Sequence, residues 1–271
     1  MRTRVFLLLL SAAGLGLAQS PVFPANGVVN AASDTSPIAP GSLFTIFGTG
    51  LASTVGKADS VPLSTALAGV TVEFIQNGTQ LPNAPMLFTQ PDVPAQGISS
   101  QINAQVPWEV DPSQPVQIQV SVNGVVSQSV TIQVGSVGPG VYASNGNAIA
   151  VNTDGTLAWA PGTVPSLTTH GAKAGDVLVV YASGLGPVGP TTPADGANSV
   201  DQLRRTTAMP IVTIGGVQAV VQFSGLSPQF VGVNQLNIKV PQGVTPGNAV
   251  PLQIEMGGIT TANNTVIAIT Q

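Results

Sequence analysis

A seven-residue phrase occurs twice in this chain. Gln101-Ile102-Asn103-Ala104-Gln105-Val106-Pro107 returns 134 positions on, from 101 to 235, as Gln235-Leu236-Asn237-Ile238-Lys239-Val240-Pro241. Apolar and polar residues alternate in the first copy, the period of a strand with one face buried. The closing Pro107 and Pro241 lack a backbone donor and end the pairing. The repetition continues without a gap: positions 101, 103, 106, 107, 110, 112, 116, 119, 124 and 131 are each identical to the residue 134 later. Upstream, 42–47 matches 176–181 at the same offset, and Gly41, Gly50 and Leu51 match Gly175, Gly184 and Leu185. Between these blocks, 51–65 lengthens by seven residues to become 185–206, and the following hairpin shortens by the same seven. Insertions that cancel in loops while strands keep register identify two copies of one unit. The expected units are 19–135 and 136–271.

Strand signals fill both copies. Ser42–Phe47, Gly69–Ile75, 84–88, Val116–Val122 and Val125–Val134 read as strands, with Asn77-Gly78 and Asn123-Gly124 as tight hairpin turns. Gly 31, Pro 23 and no long helical run point to an all-β chain. Each copy has the length and about the seven short strands of an immunoglobulin-like sandwich. A propeller needs more repeats of shorter period, and one continuous barrel fits poorly with so long a two-fold repeat. The fold expectation is two tandem immunoglobulin-like β-sandwiches.

Charge narrows the partners. Charged residues are 7% of the chain, so the polar surface must come from Ser, Thr, Asn and Gln. Without Arg2 and Arg4, five Lys and Arg stand against eleven Asp and Glu, a net −6. Five scattered bases make no stripe for a phosphate backbone, which excludes nucleic acid as the expected partner. Cys 0 removes disulfides and thiolate metal sites. Residues 1–18 read as a signal peptide: Arg2 and Arg4, an apolar run from Val5 to Leu10, then Gly16-Leu17-Ala18 with small residues at the cleavage positions. The mature chain is expected to begin near Gln19 and to be exported, with no membrane span, since no later segment reaches about 20 apolar residues.

Ala39-Pro40-Gly41-Ser42-Leu43-Phe44-Thr45-Ile46-Phe47-Gly48-Thr49-Gly50-Leu51-Ala52 resembles the opening of IPT/TIG-type immunoglobulin-like domains. Across about 27–270 the chain resembles the uncharacterised C-terminal region of secreted acidobacterial (Solibacter-type) proteins. The motifs that carry this are Val28-Val29-Asn30-Ala31-Ala32-Ser33, Gln101 to Glu109, Tyr181-Ala182-Ser183-Gly184-Leu185-Gly186-Pro187-Val188 and Val212 to Val217. The resemblance implies export, a β-sandwich fold and a place at the end of larger surface proteins. It brings no activity and no catalytic residues.

Chemistry-bearing residues are sparse. His170 is the sole histidine; a Ser-His-Asp arrangement would pair it with Asp154 or Asp176, but no Gly-x-Ser-x-Gly elbow is present. It reads as a loop histidine. Asn152-Thr153-Asp154-Gly155-Thr156 reads as an Asp-Gly turn rather than a calcium loop. Glu109 and Asp111 are too close in sequence to flank a glycosidic bond and read as solvated loop acids. Trp108 and Trp159 are the candidate stacking rings, against a reading in which a Trp covers the end of a sandwich. Arg204 and Arg205 form the only basic pair, in the long loop 186–206 where a partner-specific surface is expected. Phe44, Phe47, Phe88, Tyr181 and Phe223 read as core. Gln101, Asn103, Gln235 and Asn237 read as amides that tie down neighbouring loop backbone, in preference to a ligand-contacting pair. The expected function is a non-enzymatic exported surface module without a cofactor, acting through protein–protein contacts. A carbohydrate-binding module of the cell envelope is the alternative.

Overall fold

The computed structural model describes residues 19–271, so the expected signal peptide at 1–18 lies outside the described residues. The chain is all-β: among the described residues there are strands, turns and two three-residue 3-10 segments, with no α-helix. No described helix is long and apolar enough to cross a membrane.

In the first half two sheets face each other. One orders Val28–Asn30, Leu43–Gly48, Ser100–Gln105, Met86–Gln90 and Gly56–Lys57. The other orders Val130–Ile132, Val116–Val122, Val70–Gln76 and Thr79–Gln80, with Val125–Val126 beside Val116–Val122. Alternation sends Phe44, Ile46, Ile102 and Ala104 inward from one sheet and Val72, Phe74, Ile118 and Val120 inward from the other. Phe44 and Phe74 meet edge-to-face across the layers at 5.6 Å between centroids.

The second half repeats this pairing. Every pair from Leu43↔Gln105 to Gly48↔Ser100 has a counterpart 134 later, from Val177↔Lys239 to Ala182↔Asn234. A bulge interrupts the next pairing between Met86 and Phe88, opposite Ala104 and Asn103. Its counterpart lies between Val221 and Phe223, opposite Ile238 and Asn237. Bulges re-aim side chains and are built features rather than defects. One difference is that the ten-residue strand Val217–Leu226 pairs with Asn234–Lys239 at one end and Ile211–Ile214 at the other. The second half is thereby one hydrogen-bonded sheet of thirteen strands, nine of them along one continuous path and four beside it.

The hairpin turns also repeat, by different residues. Asn77-Gly78 and Asn123-Gly124 take positive φ at both positions, as a two-residue hairpin turn requires. Gly215-Gly216 and Gly257-Gly258 do the same work in the second half.

Buried apolar residues form two clusters, one within 23–134 and one within 137–269. Between them runs a polar seam. Asn30 Nδ2 donates to Gly138 O at 2.6 Å, and Asn263 Nδ2 to Ala32 O at 3.2 Å. Leu63 N donates to Gly196 O at 2.8 Å, and Gly196 N to Gln105 Oε1 at 2.7 Å.

Candidate functional site

The face that each amide-bearing sheet turns away from its core carries the same constellation twice. Directly paired residues in an antiparallel ladder share a face. In the first half this places Phe47 beside Gln101, and Thr45 and Phe88 on either side of Asn103. In the second half it places Tyr181 beside Gln235, and Val179 and Phe223 on either side of Asn237. Phe47, Phe88 and Tyr181 are half-buried, not core. Phe223 is nearly covered because the Arg205 guanidinium lies 4.9 Å over its ring. Tyr181 has its own edge-to-face partner in Phe230, at 5.7 Å, and Phe230 is 49% exposed.

The amides bond each other rather than loop backbone. Gln101 Nε2 donates to Asn103 Oδ1 at 2.6 Å, and Gln235 Nε2 to Asn237 Oδ1 at 2.9 Å. Asn103 Nδ2 reaches Thr45 Oγ1. This corrects the expectation that these four tie down loops. That task falls to Gln105, which the alternation put on the same polar side. It is fully buried at the seam, donating to Gly41 O at 3.0 Å and accepting from Gly196 N. Because the four amides are half-exposed, Asn237→Ala should cost below about 1 kcal/mol, while Gln105→Ala strands buried groups and should cost about 1–3 kcal/mol. Urea midpoints of the two variants measure this difference.

The loop 186–206 is tied to the first half and braced from inside, with Val200 and Leu203 left exposed. Gly196 and Asp195 bind the first half, Asp195 Oδ1 accepting from Trp108 N at 3.1 Å. Arg204 is 4% exposed and holds the loop from inside. Its Nε donates to Thr191 O at 2.8 Å, and its Nη1 and Nη2 pair with Asp201 at 2.7 and 3.1 Å. Arg204 is therefore not a surface cation, whereas Arg205 is exposed. Trp159 is 4% exposed and its Nε1 donates to Ala148 O at 2.6 Å, so it is a core ring and not a stacking platform. Trp108 is half-buried against Gly41 and lines a cavity of about 200 Å³ between the halves, with Pro40, Pro112 and Pro187.

Beside Trp108, burial pushes the Asp195 carboxyl up to about 6; the Trp108 N–H opposes this and the neighbouring Glu109 carboxylate reinforces it. A carboxyl with a raised value in the folded state binds its proton more tightly there than when unfolded. Its contribution to stability is present below the ordinary carboxylate range and is lost as pH rises through about 6. Glu109→Gln should flatten the fall in the urea midpoint between about pH 4 and 6, the interval between the ordinary carboxylate value and the raised one.

His170 Nε2 lies 2.9 Å from Asp154 Oδ2 and its Nδ1 lies 3.0 Å from Gly171 O. Both partners are acceptors, so this geometry suits an imidazolium, with neither nitrogen left to take a proton from a nucleophile. The Gly171 carbonyl and Asp154 hold the imidazole above its ordinary value, and the Thr156 hydroxyl with His170 holds the Asp154 carboxyl well below its own. The pair stabilises the loop above the carboxylate range, and this is lost as pH rises past the raised histidine value. In proton NMR the single imidazole should titrate above about 6.5, and lower in Asp154→Asn.

No family model and no curated protein matches the chain. Among solved structures it is similar to the plexin A4 full extracellular region, at 11% identity with a TM-score of 0.24. The match covers 96% of this chain and 19% of that one, so the chain spans about a fifth of that structure's length. A likeness at that score carries no argument about the fold, which rests on strand pairing and the two apolar clusters.

Proposed function

We propose that this chain is an exported, non-enzymatic binding module. In this reading it consists of two tandem immunoglobulin-like β-sandwich repeats, of the kind its IPT/TIG-like opening motif resembles. The contact surface is the amide-bearing sheet face of each repeat. The observation that carries the reading is the recurrence of one set on the sheet face turned away from each core, aromatic–amide pairs Phe47/Gln101 and Tyr181/Gln235 with Phe88/Asn103 and Phe223/Asn237 beside them. Core packing does not require it, because all four amides point away from the apolar clusters. The engaged imidazole of His170 and the apolar lining of the seam cavity favour binding over chemistry.

Co-sedimentation with the cell envelope of the producing organism tests the reading. The purified protein is expected to sediment with the envelope, and the double variant Phe47→Ala/Tyr181→Ala to lose most of that binding. Gln117→Ala/Gln253→Ala, on exposed positions of the opposing layers, should bind as the unmodified protein does. Equal binding by all three removes the sheet face as the contact surface.

A further inference from the structure

The charges on the two kinds of sheet are segregated. Strands that build the amide-bearing layers carry Lys57, Arg205 and Lys239 and no acidic residue. Strands confined to the opposing layers carry Glu73 and Glu255 and no basic residue. Lys57 pairs with Phe88, Lys239 follows Asn237 on the same face, and Arg205 covers Phe223. All three are exposed and, among the described residues, none makes an ion pair. The strands of the face thus carry only cations in a protein whose described part is acidic, with Asp59 and Asp92 in the loops that flank the first-half strands. Layers in a sandwich are about 10 Å apart, and the screening length at physiological salt is about 8 Å. The acids of the far layer therefore do little to cancel these cations.

Beside the cations stand free hydrogen-bonding groups and rings. Gln235 Oε1 and Asn237 Nδ2 make no hydrogen bond among the described residues, which leaves an acceptor and a donor on neighbouring positions of one strand. An amide acceptor and donor side by side match the hydroxyls of a sugar ring, and an aromatic face covers its apolar C–H side. Leu43, on the face of the first half, meets Tyr142, Tyr181, Phe230 and Val233 of the second around an open apolar cavity of about 320 Å³. That cavity lies where Leu43 of the first face meets Tyr181 of the second.

We propose that the paired face binds an acidic polysaccharide, a chain of sugar rings bearing carboxylates, laid across both halves. This rests on the reading of the face as the contact surface and adds the class of ligand. The rings stack sugars, the amides bond their hydroxyls, and Lys57, Arg205 and Lys239 meet the carboxylates. Two strips on one body make affinity depend on ligand length, since the second contact becomes intramolecular.

The test uses two polyuronates, polygalacturonate and alginate, with carboxyl-reduced polygalacturonate and poly-glutamate as controls, and reads Kd at two salt concentrations. At least one polyuronate is expected to bind, weakening with salt, and its trimer to bind at least about tenfold more weakly. The carboxyl-reduced chain should bind about tenfold more weakly for lack of charge, and poly-glutamate likewise for lack of rings. Arg205→Ala/Lys239→Ala should weaken binding and flatten its salt dependence, while Tyr181→Ala should weaken it with the salt dependence kept. Failure of both polyuronates, or equal binding of either control, overturns the proposal. Envelope binding that still needs Phe47 and Tyr181, but is destroyed by protease treatment of the envelope and not competed by polyuronate, assigns the face to a protein. In that event the ligand class falls and the contact surface stands.

Discussion

Phe44→Ala is expected to lower stability by about 3–5 kcal/mol, the range for emptying a fully buried aromatic site. Phe44 has no exposed surface and meets Phe74 of the opposing sheet edge-to-face, so its loss opens the centre of the first cluster from both sides. Its counterpart 134 later is Leu178, also fully buried but smaller and without an aromatic partner. Leu178→Ala should cost about 2–5 kcal/mol, set by how far that site collapses. The two tryptophans separate the effects, because Trp108 belongs to the first half and Trp159 to the second cluster's surroundings. In urea unfolding followed by fluorescence of single-tryptophan proteins, Phe44→Ala should move the Trp108 midpoint more than the Trp159 midpoint. Equal movement of both would mean that the seam joins the clusters into one cooperative unit.

The second large effect uses the repeat as its own control. Gly50 and Gly184 occupy equivalent positions and have φ of 69° and 73°. A methyl group at 50 would meet nothing closer than 3.9 Å, whereas at 184 it would lie 2.1 Å from the carbonyl oxygen of Gly138. Gly50→Ala therefore costs only the left-handed backbone penalty of about 1–2 kcal/mol. Gly184→Ala adds overpacking of about 1–3 kcal/mol and drives apart the segment that receives Asn30 Nδ2. The expected order is Gly184→Ala well below Gly50→Ala in urea midpoint. Matching midpoints would show that the seam yields without cost.

The strands could be read from the chain because they are local patterns. Val116–Val122 keeps alternation along its whole length, and its observed bounds are the expected ones. The repeat at 134 was visible for the same reason: cancelling insertions left strand registers intact. The face was only half visible. Its amides stand out in the sequence, but Leu43–Phe47 and Val177–Tyr181 are apolar on nearly every residue, so period alone does not say which side Phe47 and Tyr181 occupy. The pairing with Gln101 and Gln235 decides it. Phe88 and Phe223 come to that side only through the bulge before each. The seam had no local signal at all, because Asn30, Gln105 and Asp195 find partners 108, 91 and 87 positions away. Arg204 looked like a surface cation because a basic pair in a polar loop usually is one. Here the loop folds back over it and supplies its acceptors.

The central claim, that the repeated amide face binds an acidic polysaccharide, is tested most directly by side-chain amide resonances in ¹⁵N-labelled protein titrated with galacturonate and with alginate oligomers. Shifts are expected at Gln101, Asn103, Gln235 and Asn237 together, with ring-proton shifts at Tyr181 and Phe223. The opposing-layer amides of Gln117 and Gln253 should stay in place. Shifts confined to Gln117 and Gln253, or absent from all four face amides, would contradict it.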